Sequence, residues 1–349
     1  MEYNRQKMNR QKAGIMRRIR ILSLILFGLM WAMCLTGCSA AKGNGHNKAL
    51  RTDSREDEER ERKLRVVTTL FPYYDFVRQV AGDYVELALV IPAGMDSHSF
   101  EPTPADMRTI QNADILICNG GAMEHWLDQV LKASDTSGTI IVTMMDYVDT
   151  EEEELAEGME ADHEDHDGHE MEIEYDEHIW TSPVNAVRLT EVIRDVLIQT
   201  DPEHREEYEG QAEQYKKELE RIHQELCRVS RERKRNLIVV GDKFPFRYLA
   251  EEYDLDYRAA FSGCSTDTEP SARTIAYLID KVRQEHIPVV YYQELSSSRV
   301  AEIIGEETGA CPLLLHSCHN VTRAQFEAGV TYVELMEQNV ENLRKGLDE

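Results

Sequence analysis

Gly94-Met95-Asp96-Ser97-His98-Ser99-Phe100-Glu101-Pro102-Thr103-Pro104-Ala105-Asp106 follows an apolar run, residues 85–91, that reads as a strand. The stretch ends in helix-start signals: Thr103 in the N-cap position, Pro104 at the first helical position, and Asp106 three residues after the cap. The order is therefore strand, loop, helix. His98 sits on the loop, braced by two prolines at the carboxyl end of a strand, where open α/β sheets bind ligands. The neighbouring units keep the same rhythm. Residues 64–70 read as a β-branched strand, and Phe71-Pro72 opens a helix with Tyr73, Phe76, Val77 and Val80 on one face. Ile115–Cys118 is a short strand, the turn Asn119-Gly120-Gly121 leads into a helix carrying Trp126, Leu127 and Val130, and residues 140–144 form another strand. Strands alternating with helices predict a largely parallel sheet covered on both faces.

Residues 149–177 break the pattern. They hold 16 Asp and Glu, the three histidines His163, His166 and His169, and no Lys or Arg. Such a segment cannot bury a core and reads as a surface loop. It is either a solvating acidic insert or a weak, exchangeable trap for divalent metal, and the two roles are compatible. Order resumes at Asp176-Glu177-His178-Ile179-Trp180-Thr181-Ser182-Pro183, where Ser182 and Pro183 open a helix reaching about residue 199. Then comes the longest element. Tyr208, Ala212, Tyr215, Leu219, Ile222, Leu226 and Val229 alternate spacings of four and three. An unbroken helix over 203–233 would be about 46 Å long, which suits a spine between two lobes; a coiled-coil dimer is the other reading of this stripe. A second α/β unit follows, with strands at 237–240, 257–261, 289–292 and 313–315, helices at 246–254, 271–285 and 297–308, and a last helix at 332–347.

The N-terminus reads as an export signal: Arg17, Arg18 and Arg20, an apolar run over 21–33 too short to span a bilayer comfortably, then Leu35-Thr36-Gly37-Cys38. Leu-Thr-Gly-Cys resembles a bacterial lipobox, which implies cleavage before Cys38 and lipid on its thiol. Losing seven basic residues and one acidic residue takes the net charge from −26 to −32. That charge excludes nucleic acid as a partner, because phosphate binding needs clustered Lys and Arg. The expected organisation is a signal peptide (1–37), a lipid-anchored polar tether (38–63), an N-terminal lobe (64–200), a linking helix (201–235) and a C-terminal lobe (236–349). Cys118, Cys227, Cys264, Cys311 and Cys318 remain, with no CxxC spacing.

Taken together, Gly94-x-x-x-His98-x-x-Glu101-Pro102-Thr103-Pro104, Asn112-Ala113-Asp114, Asn119-Gly120, Glu124-x-Trp126, His178-Ile-Trp180, Phe246-x-Tyr248-Leu249, Pro270-Ser271 and Glu334-x-Met336-x-x-Asn339 resemble the metal-binding lipoproteins of zinc and manganese ABC importers. The resemblance covers the chain from about residue 64 in the right order. It implies two α/β lobes joined by one rigid helix, a metal in the cleft between them, no catalysis, a monomer, and delivery of the ion to a membrane permease. His98 and His178 match the first two ligands. The fourth position, usually Asp or Glu, falls in Leu315-His316-Ser317-Cys318-His319, with His316 as the expected occupant and Cys318 and His319 packing beside it; a reading three residues out of register would put His319 there instead. The third position departs from the pattern. Counting back from Phe246 reaches Lys243, which has no lone pair while protonated, so the neighbouring Asp242 is the expected ligand, with Glu294 in reserve or bonded to a ligand. Three imidazoles and one carboxylate favour Zn(II) over Mn(II), which takes a more oxygen-rich shell. An exported zinc hydrolase would need an open coordination position and a general base, and the chain has no HExxH. A surface adhesin or metal buffer built on the acidic loop is the third reading.

Overall fold

The structure is a computed structural model and describes residues 62–97, 99–159, 175–263 and 270–348. The signal and tether with Cys38, the histidines His98, His163, His166 and His169, and Cys264 lie outside the described residues. Among the described residues no helix is long and apolar enough to cross a membrane.

Two four-stranded parallel sheets carry the fold. The first contains β1 (Leu64–Thr68), β2 (Val85–Leu89), β3 (Ile115–Cys118) and β4 (Ile140–Thr143) in the order β2-β1-β3-β4. The second contains β5 (Leu237–Phe244), β6 (Asp256–Ser262), β7 (Val289–Tyr292) and β8 (Cys311–Leu314) in the order β6-β5-β7-β8. In both parallel sheets the order of strand addition thus reverses at the same place, between the first and third strands, and the loops leaving the carboxyl ends there are the natural ligand-binding edge. The central strands read as apolar runs because both faces are covered: all four residues of β3 are buried.

The helices are α1 (Phe71–Ala81), α2 (Pro104–Gln111), α3 (His125–Ala133), α4 (Pro183–Thr200), α5 (Arg205–Glu232), α6 (Arg247–Glu252), α7 (Ala272–Gln284), α8 (Arg299–Thr308), α9 (Arg323–Glu327) and α10 (Tyr332–Asp348). The capping signals work as read. Thr103 accepts from the N–H groups of Ala105 and Asp106, and the Asp106 carboxylate accepts from the Thr103 N–H. Ser182 accepts from Asn185 N–H at the start of α4. The 28-residue α5 buries every residue of its stripe, from Tyr208 to Val229, against α4, α1 and α10 of the same chain. The stripe is consumed within the chain, which removes the reason for a coiled-coil partner.

A buried carboxylate fastens this crossing. Asp75 of α1 is fully buried. One of its oxygens accepts from Arg78 Nη2 at 2.5 Å and from Gln79 at 3.1 Å; the other accepts from the Tyr332 N–H at 2.7 Å and the Tyr215 hydroxyl at 3.4 Å. α1, α5 and α10 therefore share one anion.

Two local features differ from the sequence reading. β5 runs past residue 240 to Phe244, with a register shift between Val240 and Lys243. Gly241 permits this by close approach: a Cβ there would lie 2.9 Å from the backbone nitrogen of Ala301 on α8. The partner that makes Gly241 tolerable is sixty residues away, so a local propensity reading ends the strand early. The five-residue α9, closed by a capping box between Thr322 and Gln325, was not anticipated either.

Candidate metal centre

Loops from both lobes meet around Trp180, which is fully buried. Its indole N–H donates to Ser317 O at 2.8 Å, and its own carbonyl accepts from the Tyr332 hydroxyl at 2.7 Å. The His178 ring meets it edge-on at 5.5 Å, and the His319 ring stacks on it at 6.3 Å with 22° between planes. Two imidazoles, one from each lobe, thus contact the same fixed indole.

His178 is buried, and its Nδ1 lies 3.2 Å from Asp176 Oδ1, which also accepts the His178 backbone N–H at 2.8 Å. Burial works against a charged imidazole here, but the charge and hydrogen bond of Asp176 outweigh it, and the His178 pKa is raised. The segment before it is held by the turn after β3. Glu177 accepts from the N–H groups of Ala122 and Met123, and its carbonyl accepts from Asn119 Nδ2 at 2.9 Å. Gly121 has φ of +82° and lies so close to the Glu177 carboxylate that a Cβ would meet it at 2.3 Å. The Asn119-Gly120-Gly121 turn is therefore a seat for residue 177, and through it for His178. Behind it, Glu124 accepts from the N–H groups of Asn119 and Gly120, and burial pushes its carboxyl up to about 7.

Ser97, the residue before His98, is fully buried, and its hydroxyl lies 2.6 Å from His319 Nε2. Asn320 adds a second lacing, donating to Pro92 O at 2.9 Å and Met95 O at 2.8 Å. The loop that leads to His98 is thus tied to the 316–320 loop. Burial, aided by His178 and Lys243, pulls the His319 pKa down to about 4 despite the opposing charges of Asp96 and Glu294. His319 is accordingly a neutral imidazole at any ordinary pH.

His316 is equally buried. Its backbone is bracketed by Asn339, which donates to the carbonyl and accepts from the N–H, both at 2.7 Å. The Cys318 N–H donates to His316 Nδ1 at 3.0 Å, a contact made possible by the left-handed φ of +60° at Cys318. An Nδ1 that accepts must leave the ring proton on Nε2. Glu294 accepts from the Ser317 N–H at 2.8 Å and hydroxyl at 2.5 Å, with Oε1 3.5 Å from His316 Nδ1. His316 Nε2 is buried without a hydrogen-bond partner among the described residues.

Asp242 accepts from the Lys243 N–H at 2.8 Å. Burial raises its pKa, opposed by hydrogen bonds from Ser296 and the Gln293 backbone. It therefore faces the turn after β7, whereas Lys243 is the β5 residue whose charge reaches His319. Among the described residues no three His, Cys, Asp or Glu side chains stand together as a ready metal cage. His178 and His319 are brought together across the cleft; Asp242 and the Glu294–His316 pair stand in the second lobe.

The profile of the family described as zinc-uptake complex component A, periplasmic (ZnuA), matches residues 66–346. The chain belongs to this family. The ZnuA-family chain is 32% identical over 310 residues to the high-affinity zinc uptake system protein ZnuA of Bacillus subtilis, covering 88% of this chain and 93% of the relative. It is 32% identical to the zinc-binding lipoprotein AdcA of Streptococcus pneumoniae over 82% of its own length, but spans only 56% of AdcA. The Zn(II)-bound ZnuA-like domain of that AdcA superposes with a TM-score of 0.68 at 31% identity, covering 82% of this chain and all of the domain. A laminin-binding protein of Streptococcus agalactiae, described as bifunctional in adhesion and metal transport, gives a TM-score of 0.68 at 25% identity over 82% of this chain and 100% of that chain. ZnuA-family membership makes the chain a solute-binding component of metal uptake, and the two-sheet architecture is that of its Zn(II)-bound relative.

Proposed function

We propose that this protein captures Zn(II) outside the cytoplasm and passes it to the permease of an ABC importer, with no catalytic step of its own. What supports this reading is the pair His178 and His319, one imidazole from each lobe, both in contact with the Trp180 indole. Neutral nitrogen ligands suit tetrahedral Zn(II) better than Mn(II). In this reading His98 and His178 come from the first lobe, and the 316–319 loop supplies a third imidazole. The hydrogen bonding favours His319 over His316 for that role, because an accepting Nδ1 leaves the ring proton of His316 on Nε2, while His319 is tied to the residue before His98. Asp242 and Glu294 are the carboxylates available to complete the shell. A competition titration with a chromophoric zinc chelator decides the assignment: His319→Ala is expected to weaken zinc by roughly 100-fold or more, beyond the 10–100-fold typical of residues that only support a ligand, while His316→Ala has a smaller effect. The reverse ranking returns the site to His316.

Anchoring through Cys38 is the finer part of the localisation. It rests on Leu35-Thr36-Gly37-Cys38 after the apolar run. Cys38→Ser is expected to leave an unprocessed precursor and to release any mature protein from membranes on fractionation; unchanged processing and membrane attachment would refute lipidation.

A further inference from the structure

The two sheets belong to different lobes, yet the residue that orients His178 is seated in the second one. Asp176 is buried, 1% exposed, and lies two residues before His178 on the first-lobe side of the cleft. The Tyr248 hydroxyl, on α6 of the second lobe, donates to the Asp176 carbonyl at 2.6 Å. The same hydroxyl accepts the Glu151 N–H at 3.2 Å, and the Asp176 N–H donates to Glu151 O at 2.9 Å. Both stems of the acidic insert therefore converge on one phenol, and an antiparallel bridge between Glu152 and Tyr175 holds them side by side. On its other side the Asp176 carboxylate abuts Gly263, just after β6, where a Cβ would lie 2.9 Å from Oδ2. Tyr248 holds the main chain of residue 176 and the bare Gly263 leaves room for its carboxylate, whose Oδ1 meets both the N–H and the Nδ1 of His178.

We propose that Tyr248 and Asp176 are positioning residues through which the second lobe sets the tautomer and aim of His178, so that its metal-binding nitrogen is presented only while the lobes are in register. The inference rests on the reading of His178 as a zinc ligand. The chemistry is that of a carboxylate holding the far side of a ligand imidazole: Oδ1 accepts from Nδ1–H, the ring proton stays on Nδ1, and the lone pair stays on Nε2. What is specific here is where the carboxylate is fixed. A relative shift of the lobes that draws Tyr248 and Gly263 away from residue 176 removes the acceptor from Nδ1. The ring can then rotate or change tautomer, and zinc loses a ligand without any change to the ligand's own lobe. The insert is coupled to the same point, since Glu151 and Asp176 bracket it and share the Tyr248 hydroxyl.

The experiment measures zinc affinity by chelator competition on the full chain for the wild type, Tyr248→Phe, Asp176→Ala, their double variant and His178→Ala. It also reads the His178 tautomer in the apo protein by ¹⁵N NMR of labelled imidazoles, with His178→Ala assigning the signal. Tyr248→Phe and Asp176→Ala are each expected to weaken zinc by roughly 10- to 100-fold, and the double variant to cost no more than Asp176→Ala alone, because the phenol acts through residue 176. The tautomer signal is expected to move from Nδ1–H toward a mixture in both single variants, which a loss of general stability would not produce. If His178→Ala abolishes tight binding but Tyr248→Phe leaves affinity and tautomer untouched, the relay is wrong and the ligand reading stands. If His178→Ala itself keeps full affinity, the ligand reading is what has failed. Should Asp176→Ala not fold, Tyr248→Phe, which removes a single oxygen, carries the decision alone.

Discussion

His178→Ala is expected to reduce zinc affinity by at least about 100-fold, roughly 3 kcal/mol, and to leave the fold in place. The side chain is a ligand candidate from a loop held on three sides, by Asp176, by the seat for Glu177 and by Trp180. Removing the ring therefore deletes a nitrogen without loosening its support. The same residue sets the pH dependence. Zinc binds the deprotonated ring, so affinity falls as the pH drops through the His178 pKa, and that pKa is raised above the ordinary value of about 6.5. The decline should accordingly begin above pH 6.5. His319, held near 4, adds no competing proton until the solution is far more acidic. Chelator competition from pH 8 to 5 checks both points. An affinity that stays flat down to pH 5, or a His178→Ala variant that matches the wild type, would remove His178 from the site.

The second large effect is on stability. Asp75→Ala is expected to destabilise the apo protein by about 3–5 kcal/mol, the usual cost of breaking a buried charged contact by removing one partner. The carboxylate is fully buried and serves Arg78, Gln79, Tyr215 and the Tyr332 N–H at once. Its loss takes the buried acceptor from the Arg78 guanidinium and leaves the Tyr332 N–H, the first of α10, without its acceptor. Arg78 keeps its second bond, to Val330 O at 2.6 Å, so the helices should stay associated but weakly. Urea unfolding of the apo protein measures the difference, and a change below about 1 kcal/mol, the ordinary value of a surface pair, would mean the anion is incidental. Zinc affinity of the folded fraction should change far less than in His178→Ala, because Asp75 touches no cleft loop.

Much of this molecule could be read locally. β3 and β7 have the bounds expected from their apolar runs, and the stripe from Tyr208 to Val229 is wholly buried, because burial on a regular element imposes its period on the sequence. The helix starts at Thr103 and Ser182 were legible for a similar reason: a cap is satisfied within three residues. What could not be read depended on distant partners. β5 continues through Gly241 only because Ala301 of α8 approaches there. The choice between His316 and His319 was equally hidden, since both stand on a loop with no period to separate inward from outward. Their surroundings differ through contacts made elsewhere in the chain: Cys318 adopts a left-handed backbone, Asn339 clamps residue 316, and Ser97 meets residue 319. The placement of Lys243 and Asp242 followed from the same extended strand. The structure sets the carboxylate of Asp242 against the turn after β7.

The anion at Asp75 also joins distant parts of the chain. Its acceptor sites lie in α1, the first helix among the described residues, and the Tyr332 N–H that satisfies one of them lies 257 residues further on. Loop closure over that distance is slow to find, although the entropy cost grows only with the logarithm of its length. Without α10 the junction of α1 and α5 keeps Arg78, Gln79 and Tyr215 on the carboxylate but lacks the Tyr332 donor. A chain truncated before α10 is therefore expected to hold Asp75 one donor short, which makes the last helix part of the closing contact of the first lobe.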